Sequence, residues 1–277
     1  MNQVPEKAYK NLEFLNSPAA RHVRILCEYE EPRQRLLRHR VHHTIVFFGS
    51  ARTRSGEDAK QMVADARLAL ERAPDDPVLQ AAMRKAEIAD RMSRYYDEGR
   101  ELSRRITEWS EARSGGRKFV ITSGGGPGIM EAANRGASEA AGGRSMGLGI
   151  SLPFEQGVNP YVTPDLAFEF HYFFTRKYWF LYLCKALVIF PGGYGTMDEL
   201  FETLTLVQTG KIKKKLPILL YGTDYWNRVV NLEAMAEFGT ISPEDVSLVH
   251  KANTVDDAFA WLVERLAGDG GEVPVSG

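Results

Sequence analysis

Ala186-Leu187-Val188-Ile189-Phe190-Pro191-Gly192-Gly193-Tyr194-Gly195-Thr196-Met197-Asp198-Glu199 decides how the rest of the chain is read. Five apolar residues closed by Pro-Gly-Gly predict a short, fully buried strand. The glycines predict a tight loop, and Met197 to Gln208 predicts the helix that follows. Two further stretches have the same form. Thr44-Ile45-Val46-Phe47-Phe48 runs into Gly49-Ser50-Ala51-Arg52, and Phe119-Val120-Ile121-Thr122 runs into Ser123-Gly124-Gly125-Gly126-Pro127-Gly128 and a helix from Ile129 to Ala141.

Around these units the chain alternates strand with helix. Strands are predicted at 146–152 and 216–221, and helices at 174–184, 225–237 and 255–267. The alternation predicts a Rossmann-like doubly wound parallel sheet with helices on both faces, an α/β fold. Residues 1–41 read as a helical arm with two short helices over 8–40, where Asn16-Ser17-Pro18 looks like a cap with proline at the first helical position. Between 55 and 110 the sequence is charged and helical, and it breaks at Ala73-Pro74-Asp75-Asp76-Pro77. It is expected as a two-helix insertion within a domain spanning 42–267. The glycine-rich tail 268–277 is expected to be flexible, and no internal repeat of solenoid length occurs.

Composition limits the function. The 277 residues carry 35 basic and 36 acidic side chains, a net charge of −1, so no global field recruits nucleic acid or an anionic membrane. An anionic ligand needs a local site. Cys27 and Cys184 are far apart and lack metal-binding spacing, which fits reduced thiols in a cytoplasmic protein and leaves no metal site expected. The N-terminus does not read as a signal peptide. The longest apolar stretch, 178–190, includes Lys185 and falls short of the roughly 20 residues of a bilayer span.

In a parallel sheet, all three glycine-containing junctions lie at the carboxyl edge of the strands and can converge on one crevice. Glycine lets backbone N–H groups approach an anion, the following helix adds a favourable dipole, and Thr196 adds a hydroxyl. Any one of these loops could instead be a tight turn without a ligand; three in the same orientation favour a site. No Gly-Lys-Ser/Thr Walker element is present, and Gly124–Gly128 only approximates a dinucleotide fingerprint, so a single phosphate suits the loops better than a pyrophosphate. Glu199, placed in the first helical turn, could look back over the phosphate toward a ribose, or could merely complement the helix dipole with Asp198 and Glu202. Arg176-Lys177 enter an aromatic helix and suggest an acidic or phosphate partner, or else a solvent-facing pair. Glu131 could reach the crevice or balance the dipole of its own helix. His42-His43 read as solvated or packed, and Lys211 to Lys215 as an exposed turn.

At this point Pro191-Gly192-Gly193-Tyr194-Gly195-Thr196-Met197-Asp198-Glu199 resembles, without a mismatch, the PGGxGTxxE signature of the LOG ("lonely guy") proteins. These are cytokinin riboside 5′-monophosphate phosphoribohydrolases, often labelled lysine decarboxylases. Gly124 to Met130 is similar to the family's GGGxxGLM element, one residue shorter, and Phe173-Phe174-Thr175-Arg176-Lys177 is similar to its MHxRK stretch, with Met and His replaced. The resemblance spans roughly 42–236. It implies hydrolysis of a nucleoside 5′-monophosphate, with prenylated adenine or adenine as the base, to free base and ribose 5-phosphate. It also implies Arg176 and Glu199 as the catalytic pair and a homodimer or larger assembly with sites near the subunit interface. Gly49, Ser50, Gly125, Gly126, Phe173, Lys177, Gly192, Gly193, Gly195 and Thr196 are then expected to bind phosphate and substrate, with Asp198 and Glu131 as candidate proton donors. No cofactor is expected; the decarboxylase label would call for a pyridoxal phosphate lysine, and nothing in the sequence singles one out. The alternative is a nucleotide or phosphorylated-cofactor carrier of the same fold that does not cleave its ligand.

Overall fold

Alternating inward and outward side chains on the central strands give the sheet two buried faces. A computed structural model describes residues 5–113, 118–151 and 157–267. The expected flexible tail, 268–277, and the end of the strand expected at 146–152 lie outside them. The described strands are β1 (Thr44–Phe48), β2 (Val120–Ser123), β3 (Ser145–Ile150), β4 (Ala167–Phe170), β5 (Cys184–Ile189), β6 (Ile218–Tyr221) and β7 (His250–Ala252). They form one parallel sheet in the order β4-β3-β2-β1-β5-β6-β7. The chain winds outward from β1 to one edge, returns, and winds outward through β5 to the other. The strand order therefore reverses between β1 and β5, where doubly wound sheets open a ligand crevice.

On β1, Ile45 and Phe47 pack to one side while Val46 and Phe48 pack to the other. Likewise Ala186 and Val188 of β5 oppose Leu187 and Ile189. Burying each large side chain contributes about 1.5–3 kcal/mol, which is what fixes the register of these strands. One face is covered by α4 (Pro77–Glu111), α5 (Ile129–Glu139) and α10 (Val255–Ala267). The other is covered by α2 (Arg21–Arg38), α6 (Phe173–Tyr182), α7 (Tyr194–Gln208), α8 (Thr223–Val229) and α9 (Leu232–Glu237). The remaining helices are α1 (Leu12–Asn16) and α3 (Gly56–Arg72).

The 55–110 segment forms the crossover from β1 to β2, and α4 contributes Tyr95, Leu102 and Ile106 to the core. Its backbone lies close to α5: a Cβ on Gly136 would come within 2.0 Å of the Arg100 carbonyl oxygen. The break at 73–77 is where expected, with Asp76 capping α4 through the Val78 amide at 2.7 Å.

Several expectations change. The arm holds one five-residue helix and one of eighteen residues rather than two short ones, and α2 runs through Pro32. Glu28 of α2 accepts from the His171 amide at 2.7 Å and the Thr175 hydroxyl at 2.5 Å, so the arm seats the start of α6. The helix expected at 225–237 is split, because Asn231 caps a new helix through the Ala234 amide. The edge strands β4 and β7 are additional; four and three residues long with mixed burial, they carry little hydrophobic periodicity. Lys214, expected in an exposed turn, donates to the Leu181 and Cys184 carbonyls.

Candidate active site

The three glycine-containing junctions meet. The Ser50 amide donates to the Pro191 carbonyl at 3.0 Å, and the Ser50 carbonyl accepts the Ile129 amide at 3.1 Å. The loop after β1 thus joins the loop after β5 to the start of α5. Glycine is required by contact here. A Cβ on Gly128, whose φ is +71°, would lie 2.3 Å from the Ser50 carbonyl oxygen, and one on Gly49 would strike Ile129 at 2.7 Å.

The loop after β5 ends sooner than its glycines suggest. Gly193 is the extended N-cap and α7 begins at Tyr194, so Gly195 and Thr196 are already helical and Glu199 occupies the second turn rather than the first. Glycine lowers helix propensity by about 1 kcal/mol, a cost that tertiary packing overrides here. At the N-terminus of α7, the Tyr194 and Gly195 amides have no carbonyl one turn back to donate to, and the helix dipole is positive at that end. Tyr194 is 97% exposed, and among the described residues nothing beyond the adjoining chain and the helix's own backbone lies within 4 Å of where a Cβ would sit on Gly193 or Gly195. Thr196 is buried and folds over Gly192, whose carbonyl accepts the Tyr225 hydroxyl at 2.5 Å.

Glu199 is 6% exposed, and among the described residues its Oε2 has no hydrogen-bond partner. Burial raises its pKa to about 7; the positive charges of Lys177 and Arg176 oppose that shift, while Glu202 and Asp198 add to it. An unsatisfied buried carboxyl oxygen costs about 1–3 kcal/mol, so the fold holds this group at some expense.

Arg176 lies beside the loop after β2. Its Nε donates to the Leu148 carbonyl at 2.7 Å, its guanidinium sits over the Phe180 ring at 5.0 Å, and a Cβ on Gly124 would come within 2.6 Å of it. Lys177 is placed differently from the expectation that it binds phosphate. Its ammonium bridges Asp198 at 2.8 Å and Glu202 at 2.7 Å. Partial burial alone would lower its pKa, but the two carboxylates hold it above the usual lysine value. Lys177 therefore ties α6 to α7 and places a positive charge near Glu199.

The family model described as "Possible lysine decarboxylase" matches residues 130–262, the segment holding Arg176, Lys177 and Glu199. A probable cytokinin riboside 5′-monophosphate phosphoribohydrolase of Oryza sativa subsp. japonica is 35% identical over 81 residues. A cytokinin riboside 5′-monophosphate phosphoribohydrolase of Arabidopsis thaliana is also 35% identical over 81 residues. Over this stretch the chain is similar to the LOG proteins. Each match covers 28% of this chain and 37% of the relative, so the LOG-family likeness is confined to part of both proteins. The molybdenum cofactor binding protein of Rippkaea orientalis is 18% identical, with a TM-score of 0.42 over 61% of this chain and 86% of its own.

The other expected residues of the LOG-like site are distributed unevenly. Phe173 begins α6 and is half exposed. Asp198 is engaged by Lys177, and Glu131 accepts the Tyr96 hydroxyl of α4 at 2.6 Å, so both candidate proton donors already have partners. His43 is buried against Phe119. Two asparagines escaped the sequence reading. Asn159 donates to the Gly125 and Gly126 carbonyls, both at 3.0 Å, and the fully buried Asn134 accepts the Ser123 hydroxyl at 2.7 Å. Asn159 is followed by Pro160, and Asn-Pro reads as ordinary turn chemistry, so nothing in the sequence set it apart.

Proposed function

We propose that the crevice hydrolyses the N-glycosidic bond of a nucleoside 5′-monophosphate, releasing the free base and ribose 5-phosphate. The observation that carries this reading is Glu199: a buried carboxyl with an unpartnered oxygen and a raised pKa, one turn past an open glycine-lined helix start. The amides of Tyr194 and Gly195, the Thr196 hydroxyl and the loop at Gly125-Gly126 bind the 5′-phosphate, with Gly49 and Ser50 closing the crevice. As the C1′–N bond breaks, positive charge grows on C1′ and the ring oxygen. Ionised Glu199 stabilises that charge and orients the attacking water. The water oxygen bonds to C1′, and one of its protons ends on the departing base. Glycosidases set carboxylates against the same kind of charge.

Arg176 keeps its charge at any working pH. It therefore orients the nucleotide and, with Lys177, favours the ionised form of Glu199. The base is adenine or a prenylated adenine, lying toward Phe173. The assembly proposed with this reading is a homodimer or larger, formed through the exposed aromatics Phe174, Tyr178 and Tyr182 of α6. These border an open groove of about 580 Å³ beyond Lys177. The test is chromatographic detection of base released from AMP and isopentenyladenosine monophosphate by wild type, Glu199→Ala and Arg176→Ala. Both variants are expected to lose turnover, and undiminished turnover in both would overturn the assignment.

A further inference from the structure

The loop after β2 faces a difficulty that its composition creates. A peptide flanked by glycines turns over at low cost. In a trans peptide the carbonyl and the next N–H point in opposite directions. If the Gly125–Gly126 peptide rotated, a carbonyl dipole would replace an amide on the side facing a bound anion. Gly126 is followed by Pro127, which has no N–H, so the Gly126 amide is the donor at stake.

Asn159 holds this peptide from behind. Its backbone amide donates to the Gly125 carbonyl at 2.7 Å, and its Nδ2 donates to the same oxygen and to the Gly126 carbonyl, each at 3.0 Å. Its Oδ1 accepts the Tyr161 amide at 3.2 Å, which fixes the direction the carboxamide faces. Nδ2 also lies 2.9 Å from Asn134 Oδ1, which accepts the Ser123 hydroxyl. The ring closes where Ser123 Oγ accepts the Gly125 amide at 3.0 Å. Both carbonyls are drawn to the Asn159 side, while the guanidinium of Arg176 lies against Gly124.

We propose that Asn159 is a positioning residue that locks the Gly125–Gly126 peptide with the Gly125 carbonyl turned away, so that the Gly126 amide faces the phosphate of the substrate. This rests on the phosphate role assigned above to the crevice. Asn159 acts on affinity for the anion and leaves the chemistry at C1′ to Glu199.

The test is calorimetric binding of ribose 5-phosphate and of adenosine to wild type, Asn159→Ala and Asn159→Asp, alongside AMP turnover. Removing donors that orient a group toward a charge is expected to raise the ribose 5-phosphate Kd about tenfold in N159A, and further in N159D, whose carboxylate repels both carbonyls. The KM for AMP is expected to rise in parallel, kcat to fall by less than KM rises, and adenosine affinity to move less than about twofold. N159A keeps the backbone donor to Gly125, so it carries the test if N159D shows no cooperative melt. If wild type releases no base but its ribose 5-phosphate affinity depends on Asn159 in this way, the hydrolytic reading fails and the positioning role stands. Base release with unchanged ribose 5-phosphate affinity in the variants would overturn the positioning role alone. Absence of ribose 5-phosphate binding by wild type would overturn both.

Discussion

The loops after β2 and β5 look alike on paper and behave differently in the fold. Gly124–Gly128 is packed from outside: two of its glycines have positive φ, and Asn159 and Ser123 hydrogen-bond its backbone. Gly192–Thr196 is open at Gly193 and Gly195 and passes straight into α7. Glycine serves close approach of neighbouring chain in the first loop, whereas in the second it leaves the backbone uncovered where the proposed phosphate site lies. Glycine content alone therefore identifies a junction at the carboxyl edge, and only the surroundings show what the junction is for.

The largest expected effect lies one turn beyond the open loop, at Glu199. Glu199→Gln removes the charge and keeps the shape, and base release is expected to fall about 10³-fold, measured as kcat, with ribose 5-phosphate affinity within about threefold of wild type. Loss of affinity with little loss of kcat would make Glu199 a binding group and erase the distinction between the loops. Next in size is the contrast between two alanines. Gly125→Ala puts a Cβ at φ +77° and 2.7 Å from Val158, so it is expected to destabilise by about 2–4 kcal/mol. Gly193→Ala meets open space at φ −90° and is expected to leave the melting temperature within about 2 °C while weakening phosphate binding. Equal thermal losses in the two variants would mean that both loops are packed alike.

Titration sharpens it further. The folded state binds the Glu199 proton more tightly than the unfolded chain does, so this group's contribution makes stability fall as pH rises from about 4.5 to about 7. The loss is up to about 3 kcal/mol. Denaturant titrations across that window are expected to show the decline in wild type and lose much of it in Glu199→Gln. Activity runs the other way: kcat/KM is expected to rise with pH through about 7 as the carboxylate forms. The smallest effect is expected from Lys177→Ala. Removing the cation that offsets the burial of Glu199 is expected to move that activity limb upward by about one pH unit.

Much of this was legible in the sequence because the signals were local and repeated. The runs at 44–48, 120–122 and 186–189 are apolar enough to be buried strands in any arrangement, and three strand–glycine–helix units imply a parallel sheet. The short strands at 167–170 and 250–252 were not legible, because edge pairing is decided by the neighbouring strand rather than by their own pattern. The start of α7 was misplaced because glycine reads as a breaker, whereas here it follows an extended Gly193 into the first turn. The charge of Lys177 allows an acidic or a phosphate partner, and only the fold, which brings Asp198 and Glu202 of the next helix beside it, selects the acidic one. Asn159 was missed because its partners are backbone carbonyls more than thirty residues earlier.

The most direct measurement is the chromatographic yield of free base when wild type and Glu199→Gln are incubated with AMP or isopentenyladenosine monophosphate. Base and ribose 5-phosphate are expected in equal amounts from wild type with at least one of these substrates, and almost none from the variant. Tight binding of the nucleotide by wild type with no base released, or equal release by both proteins, would contradict it.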